Sequence, residues 1–293
     1  MRLKSDLILL LTAFIWGSAF AAQRVAAAYI GPFLFNGSRF LLAVLVLLPV
    51  IRFRLKLERR MWVWVAAAGV LLFGASTLQQ AGLRWTTAGN AGFITGFYVV
   101  LVPIFLWLVW RQQIAWRSWL AAGMAVVGVW MLSANGEFRL ALGDALELAG
   151  AFLWALHVIL ISRVIRQTDV LHFAIGQYLV CGVLNTAVGL VVDAHTLGGF
   201  ATAGWAVAYT GILSVALGYT LQAVGQKHAP ATDAALILSM ESVFAAFFGY
   251  IFLNERLQWL QLLGCGLILA AIILVQFNEV QEPAAELPAS AGS

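Results

Sequence analysis

Thr77-Leu78-Gln79-Gln80-Ala81-Gly82-Leu83-Arg84 returns 143 residues later as Thr220-Leu221-Gln222-Ala223-Val224-Gly225-Gln226-Lys227. The same offset pairs Trp62 with Trp205, Ala91 with Ala234, Ile94 with Ile237, Trp116 with Trp259 and Gly123 with Gly266. Upstream, an offset of 138 pairs Ala13-Phe14-Ile15-Trp16 with Ala151-Phe152-Leu153-Trp154, and Phe35 with Phe173. The chain is therefore two related halves, 1–135 and 142–278. A tail, 279–293, is rich in Ala, Pro, Glu and Ser, lacks periodicity and is expected to be disordered.

Each half is apolar throughout. The chain is 62% hydrophobic and 10% charged, with a mean hydropathy of +0.92, outside the range of soluble domains. A bilayer-crossing helix needs about 20 apolar residues. Ten such stretches fit, near 5–22, 32–51, 61–80, 88–110, 115–134, 143–162, 170–192, 204–224, 230–253 and 257–277. The expected fold is an all-α polytopic membrane protein with ten transmembrane helices. Five spans per half is an odd number, so the second copy enters the membrane from the opposite side. Two inverted five-helix repeats around a central cavity are the architecture of secondary transporters.

Charge sets the expected orientation. With the N-terminus in the cytoplasm, inside segments carry Arg2, Lys4, Arg52, Arg54, Lys56, Arg59, Arg60, Arg111, Arg117, Arg163, Arg166 and Lys227. Outside loops carry Arg24, Arg84, Arg139 and Arg256. Twelve against four follows the positive-inside rule, so both termini are placed in the cytoplasm of a bacterial-type inner membrane. The net charge of +4 reflects this asymmetry and implies no nucleic-acid partner. Arg2, Lys4 and the Leu-rich run ending at Ser18-Ala19-Phe20-Ala21 imitate a cleavable signal. The repeat mate around Trp154 lies in mid-chain, which argues for a retained helix.

Several chemistries lack their residues. There is no G-x-x-x-x-G-K-[ST] for nucleotide binding, no H-E-x-x-H and no G-x-S-x-G, so the chain is not expected to be an enzyme. Cys181 and Cys265 fall in apolar spans without metal or redox spacing and read as core side chains. No bound cofactor or metal is implied. Gly89, Gly92 and Gly96 form a small-residue stripe on span four, suited to helix contact within the chain or to a weak dimer. Pro103 should kink that span, whereas Pro230 suits a helix start.

At this point the residues resemble a known group. Gly92-Phe93-Ile94-Thr95-Gly96-Phe97-Tyr98-Val99-Val100-Leu101-Val102-Pro103, then Glu241 and Phe252-Leu253-Asn254-Glu255-Arg256-Leu257, are similar to the two-EamA-domain, ten-helix branch of the drug/metabolite transporter superfamily. The opening Ala13-Phe14-Ile15-Trp16-Gly17-Ser18 fits as well. The resemblance implies a basket of ten helices and the export of small metabolites, amino acids including aromatic ones among them. It is specific for the superfamily and poor at naming a cargo; a drug, nucleobase or sugar conjugate remains open, as does, more remotely, a membrane-embedded enzyme. Two departures stand out. Ser242 occupies the place where the family often has Pro after the span-nine Glu, and Gln112 stands where the second half has Glu255.

Polar residues at depth mark the candidate site, because hydrocarbon penalises them unless they face a cavity or one another. Glu241, near mid-span, is placed to bind a substrate amine or a proton, or to fix span nine by a structural hydrogen bond; its mate by the 143 offset is Tyr98, a hydrogen-bonding side chain at similar depth. Arg39, mate of Gln177, could attract a substrate carboxylate, neutralise an acid or snorkel outward. His157 is a proton carrier or a hydrogen-bonded core residue. Gln79 and Gln222, placed near opposite faces, suit gating or helix–helix bonds. Trp16 and Trp154 are deep repeat mates whose rings could wall a cavity or simply pack. Thr95 and Ser239, with Asn36, Tyr178, Asn185, Ser214 and Tyr219, are weaker candidates that can satisfy themselves through helix backbone. Trp62, Trp64, Trp110, Trp116, Trp119, Trp205 and Trp259 lie near span ends and read as interface anchors. The cavity is expected between spans one, four, six and nine.

Overall fold

A computed structural model describes residues 2–111, 113, 116–133 and 141–279; the tail beyond 279, Gln112 and Arg139 lie outside the described residues. Among the described residues the secondary structure is helical throughout. In chain order the helices are α1 (Arg2–Ala27), α2 (Pro32–Leu47), α3 (Met61–Gly82), α4 (Ala88–Thr95), α5 (Tyr98–Trp110), α6 (Trp116–Ser133), α7 (Leu142–Val164), α8 (Val170–Val192), α9 (Phe200–Tyr209), α10 (Thr220–Gln226), α11 (Ala231–Leu238), α12 (Glu241–Leu253) and α13 (Trp259–Glu279). A π-helical stretch, Thr210–Tyr219, joins α9 to α10. Seven helical stretches are long and apolar enough to cross a membrane, and three shorter apolar helices accompany them. This is a multi-pass membrane protein. Trp62, Trp64, Trp116, Trp119, Trp205 and Trp259 are all exposed on it, as interface anchors require.

The repeat extends to single backbone hydrogen bonds. Span four is interrupted between α4 and α5, and span nine at the equivalent place between α11 and α12. Around the first break Gly96 N–H donates to Gly92 C=O, Phe97 to Ile94, Val99 to Gly96 and Val100 to Phe97. Around the second, Ser239 donates to Ala235, Met240 to Ile237, Ser242 to Ser239 and Val243 to Met240. Every donor and acceptor in one set lies 143 residues from its counterpart. Both half-helices end alike too, at Arg111 (φ 54°) and Asn254 (φ 55°) in the left-handed conformation. These endings separate the spans where the sequence offers only a few polar residues.

Two details of the broken spans lie beyond what the sequence marks. The interruption of span four lies at Gly96–Phe97, whereas Pro103 sits inside the continuous α5. Span nine breaks without a proline: Ser242, in the family's proline position, donates its Oγ to Gly92 C=O at 2.9 Å and ties α12 to α4. A third detail shifts by one residue, since Pro230 is the N-cap of α11 and Ala231 its first residue.

Close approach of helices uses the glycines. Leu34, Gly37 and Leu41 of α2 lie against Gly189, Thr186 and Gly182 of α8, so these repeat mates pack antiparallel. Gly96, Gly92 and Gly89 meet Ser242, Ala245 and Ala246 of α12, which spends the small-residue stripe on a contact within the chain. Carboxylates from the second half cap helices of the first. Asp193 accepts from Phe33 N–H (2.8 Å) and Leu34 N–H (3.2 Å), and Glu255 accepts from Ala88 N–H (2.9 Å) and Gly89 N–H (3.1 Å). Each satisfies orphan donors at the positive end of a helix dipole. Cys181 and Cys265 are buried.

Candidate functional site

A cavity at the helix breaks gathers many of the polar residues that the chain carries at depth. Its wall is Trp16, Phe20 and Gln23 of α1, Arg39 of α2, Gln79 of α3, Thr95, Tyr98, Trp154 and Val158 of α7, Ser214, Tyr219, Gln222 and Glu241. The empty space between them is about 410 Å³, mouth included. The expected four-span lining was too narrow, because α2, α3 and the span that includes α10 also contribute. They reach the site through Arg39, Gln79, Ser214, Tyr219 and Gln222.

Tyr98 and Glu241 are the first residues of the two C-terminal half-helices, α5 and α12. Their pairing by offset thus has a structural cause. Each stands at the positive end of a broken helix, where the interrupted ladder faces the cavity. Among the described residues Glu241 has no ion-pair partner, and it is buried (3% exposed) at the cavity wall. The Tyr98 hydroxyl is buried beside it and makes no hydrogen bond of normal geometry.

Arg39 does not snorkel; it is 1% exposed. Its Nε donates to Asn36 Oδ1 and its Nη1 to Gln23 Oε1, both at 2.9 Å. The guanidinium lies between the rings of Phe35 and Phe40, 5.3 and 5.2 Å from their centroids. Nη2 is buried without a partner, and no acid neutralises the charge among the described residues.

The aromatic wall converges on Tyr219. Its ring stacks on Trp154 (5.8 Å, 17°) and meets Trp16 (4.6 Å), Phe40 (6.0 Å) and Tyr178 (6.3 Å). Trp16 Nε1–H donates to the Ser214 carbonyl at 3.1 Å, inside the π-helical stretch where the ladder is widened. Trp154 Nε1–H donates to Gln79 Oε1 at 3.0 Å. Gln79 and Gln222, expected near opposite membrane faces, both line this cavity; Gln79 also makes the helix–helix bond that was its other reading.

Not every candidate arrives at the wall. His157 and Gln177 bond each other at 3.0 Å in the core, behind the lining. Ser239 is buried and returns its hydroxyl to Leu236 C=O at 2.6 Å. Thr95 both lines the cavity and donates to Glu147 Oε2 at 3.1 Å. Glu147, Gln23 and the central role of Tyr219 are what the residue-by-residue reading missed. Glu147 stands near the start of span six and Gln23 near the end of span one, where polar side chains raise no alarm. Among the described residues, no group of three or more His, Cys, Asp or Glu converges to hold a metal.

The EamA-like transporter family matches residues 3–134 and again 141–277, one copy per half. The chain belongs to this family. An uncharacterized transporter of Archaeoglobus fulgidus is 34% identical over 94% of the chain and 87% of its own length. The threonine/homoserine exporter RhtA of Escherichia coli is 32% identical over 50% of each chain, and an S-adenosylmethionine/S-adenosylhomocysteine transporter of Chlamydia muridarum is 23% identical over 94% of this chain and 92% of that one. A crystal structure sharing 18% identity superposes with a TM-score of 0.73, covering 96% of this EamA-like chain and all of that one; it supports the fold alone. These relatives are transporters by name, not enzymes.

Proposed function

We propose that this EamA-like transporter exports small zwitterionic metabolites, amino acids including aromatic ones, by alternating access around the central cavity. One observation carries the cargo class. Among the described residues Arg39, with Nη2 unpartnered, and Glu241, without a counter-ion, stand in the wall of one aromatic cavity. A guanidinium can hold a carboxylate and a carboxylate an ammonium, while Trp16, Trp154 and Tyr219 offer faces to an apolar or aromatic side chain. Likeness to a threonine/homoserine exporter agrees.

The mechanism follows from the repeat. Ten spans in two units, 1–135 and 142–278, are taken to face opposite compartments; the antiparallel seat of α2 on its mate α8 supports that inversion. Rocking of one unit on the other would open the cavity to each side in turn, with the breaks of spans four and nine as the flexing points. Basic residues favour cytoplasmic termini in a bacterial-type inner membrane. We take the unit as a monomer or weak dimer with lipid as its surround.

A larger cargo is the second reading, favoured by the relative named for S-adenosylmethionine. Counterflow of labelled tryptophan, phenylalanine and threonine in proteoliposomes tests both. Exchange above empty vesicles is the expected result; none for any of the three, with exchange of an adenosyl compound, overturns the amino-acid reading.

A further inference from the structure

Behind the cavity wall lies a second acidic group that cargo binding does not use. Glu147 is 0% exposed. Its Oε2 accepts from Thr95 Oγ1 at 3.1 Å, and its Oε1 is buried with no partner among the described residues. That oxygen lies against the Gly82 backbone, where α3 ends and any side chain would fill the space. One turn earlier Asp144, 2% exposed, accepts a hydrogen bond from Thr86. Trp85 and Arg84, next along the chain, are exposed.

Among the described residues no ion pair covers this carboxyl group. The helices packed on α7 at this level, α3 and α4, contain no titratable residue. Across the break α5 offers Tyr98 and α12 offers Glu241; α11 contributes Asp233, at its first turn. A carboxylate here would stand one turn from Asp144 with an uncovered oxygen in low dielectric, which burial penalises heavily. A proton removes both penalties.

We propose that Glu147 is a proton-binding site, separate from the cargo contacts, which exchanges its proton with the central cavity through Thr95. Binding forms one O–H bond and turns the carboxylate into the neutral acid; release returns the proton to water, and no other bond changes. Asp144 and Thr86 mark the way from the membrane surface at the α3–α4 turn. Thr95, which lines the cavity and closes half-helix α4, marks the way inward. Because Thr95 ends the half-helix that must flex, the state of Glu147 is tied to the break. With α7 starting on the outer face, protons reach Glu147 from outside, the direction that drives export of a cargo. This inference rests on the transport reading above.

Transport assays first, and infrared spectroscopy second, on the full chain in proteoliposomes separate the two claims. Tryptophan counterflow needs no net proton movement, so wild type and Glu147→Gln should exchange at the same rate. Accumulation of tryptophan driven by an imposed pH gradient should be present in wild type and lost in Glu147→Gln. Absence of wild-type counterflow sinks the cargo reading and leaves the proton site to the second measurement. Gradient-driven accumulation that persists in Glu147→Gln, or that follows sodium instead of pH, overturns the proton site. The second measurement is infrared difference spectroscopy across a pH titration. A buried carboxylic-acid carbonyl band should vanish in Glu147→Gln, persist in Glu241→Gln, and shift in Thr95→Val, which removes the donor to Oε2. If Glu147→Gln does not fold, the Thr95→Val shift decides, and an unmoved band overturns the proposal.

Discussion

Replacing Arg39 by Met tests the cargo anchor at its strongest point. The change removes the unpartnered Nη2 and, with it, the charge-assisted hydrogen bond that the reading assigns to a substrate carboxylate. Such a bond contributes about 1.5–3 kcal/mol, which is roughly 10- to 150-fold in affinity. The same change strips donors from Gln23 Oε1 and Asn36 Oδ1, both buried, at about 1–3 kcal/mol each in stability. Stability loss and affinity loss must therefore be separated. Tryptamine has the ring and the ammonium of tryptophan but no carboxylate. Competition of each against labelled tryptophan counterflow should show wild type preferring tryptophan by the factor above. Arg39→Met should lower tryptophan affinity, leave tryptamine nearly unchanged and so erase the preference. Arg39→Lys keeps the charge without the planar fork and should fall between. A folded Arg39→Met protein that still discriminates as wild type does would refute the assignment.

Glu241→Gln should reduce transport of tryptophan and flatten its pH dependence while melting temperature changes little; undiminished transport with the pH profile intact removes Glu241 from the mechanism. Tyr219→Ala, which empties the centre of the aromatic wall, should destabilise by about 3–5 kcal/mol, whereas Tyr219→Phe should leave the melting temperature almost unmoved; equal melting of the two would deny the ring its packing role. Gly92→Ala places a methyl 2.4 Å from Ala245 Cβ and should destabilise by about 1–3 kcal/mol, while Gly123→Ala, with nothing within 4 Å, should be silent. Thermal melts in detergent that rank the two glycine variants the other way would contradict the α4–α12 packing.

The fold was legible because two features of the chain are redundant. Hydropathy marks the spans, and the 143 offset repeats them, so an ambiguous boundary in one half is supported by the other. The break in span four was harder to see. Pro103 offers an obvious cause, yet the ladder actually fails at Gly96–Phe97, and it fails identically at Ser239–Met240 where no proline helps. Shared i→i+3 bonding and tertiary contact with the opposite repeat set the break, and neither is written in local propensity. For the site, depth in the sequence pointed to Glu241, Tyr98, Trp16 and Trp154, and all four line one cavity. It did not point to Gln79 and Gln222, which lie toward span ends in sequence but line the cavity in space. Glu147 was invisible for the same reason: a carboxylate five residues into a helix reads as interfacial until the α3–α4 turn is seen to cover it.

Sided cysteine labelling tests the inverted arrangement most directly. Arg84→Cys and Lys227→Cys, repeat mates introduced singly after the buried Cys181 and Cys265 are replaced by Ala, would be probed with a membrane-impermeant maleimide on intact cells and on inverted vesicles. Labelling of position 84 from outside and of position 227 from the cytoplasm is the predicted result. Labelling of both from the same side would contradict the opposed orientation of the two halves and, with it, alternating access between them.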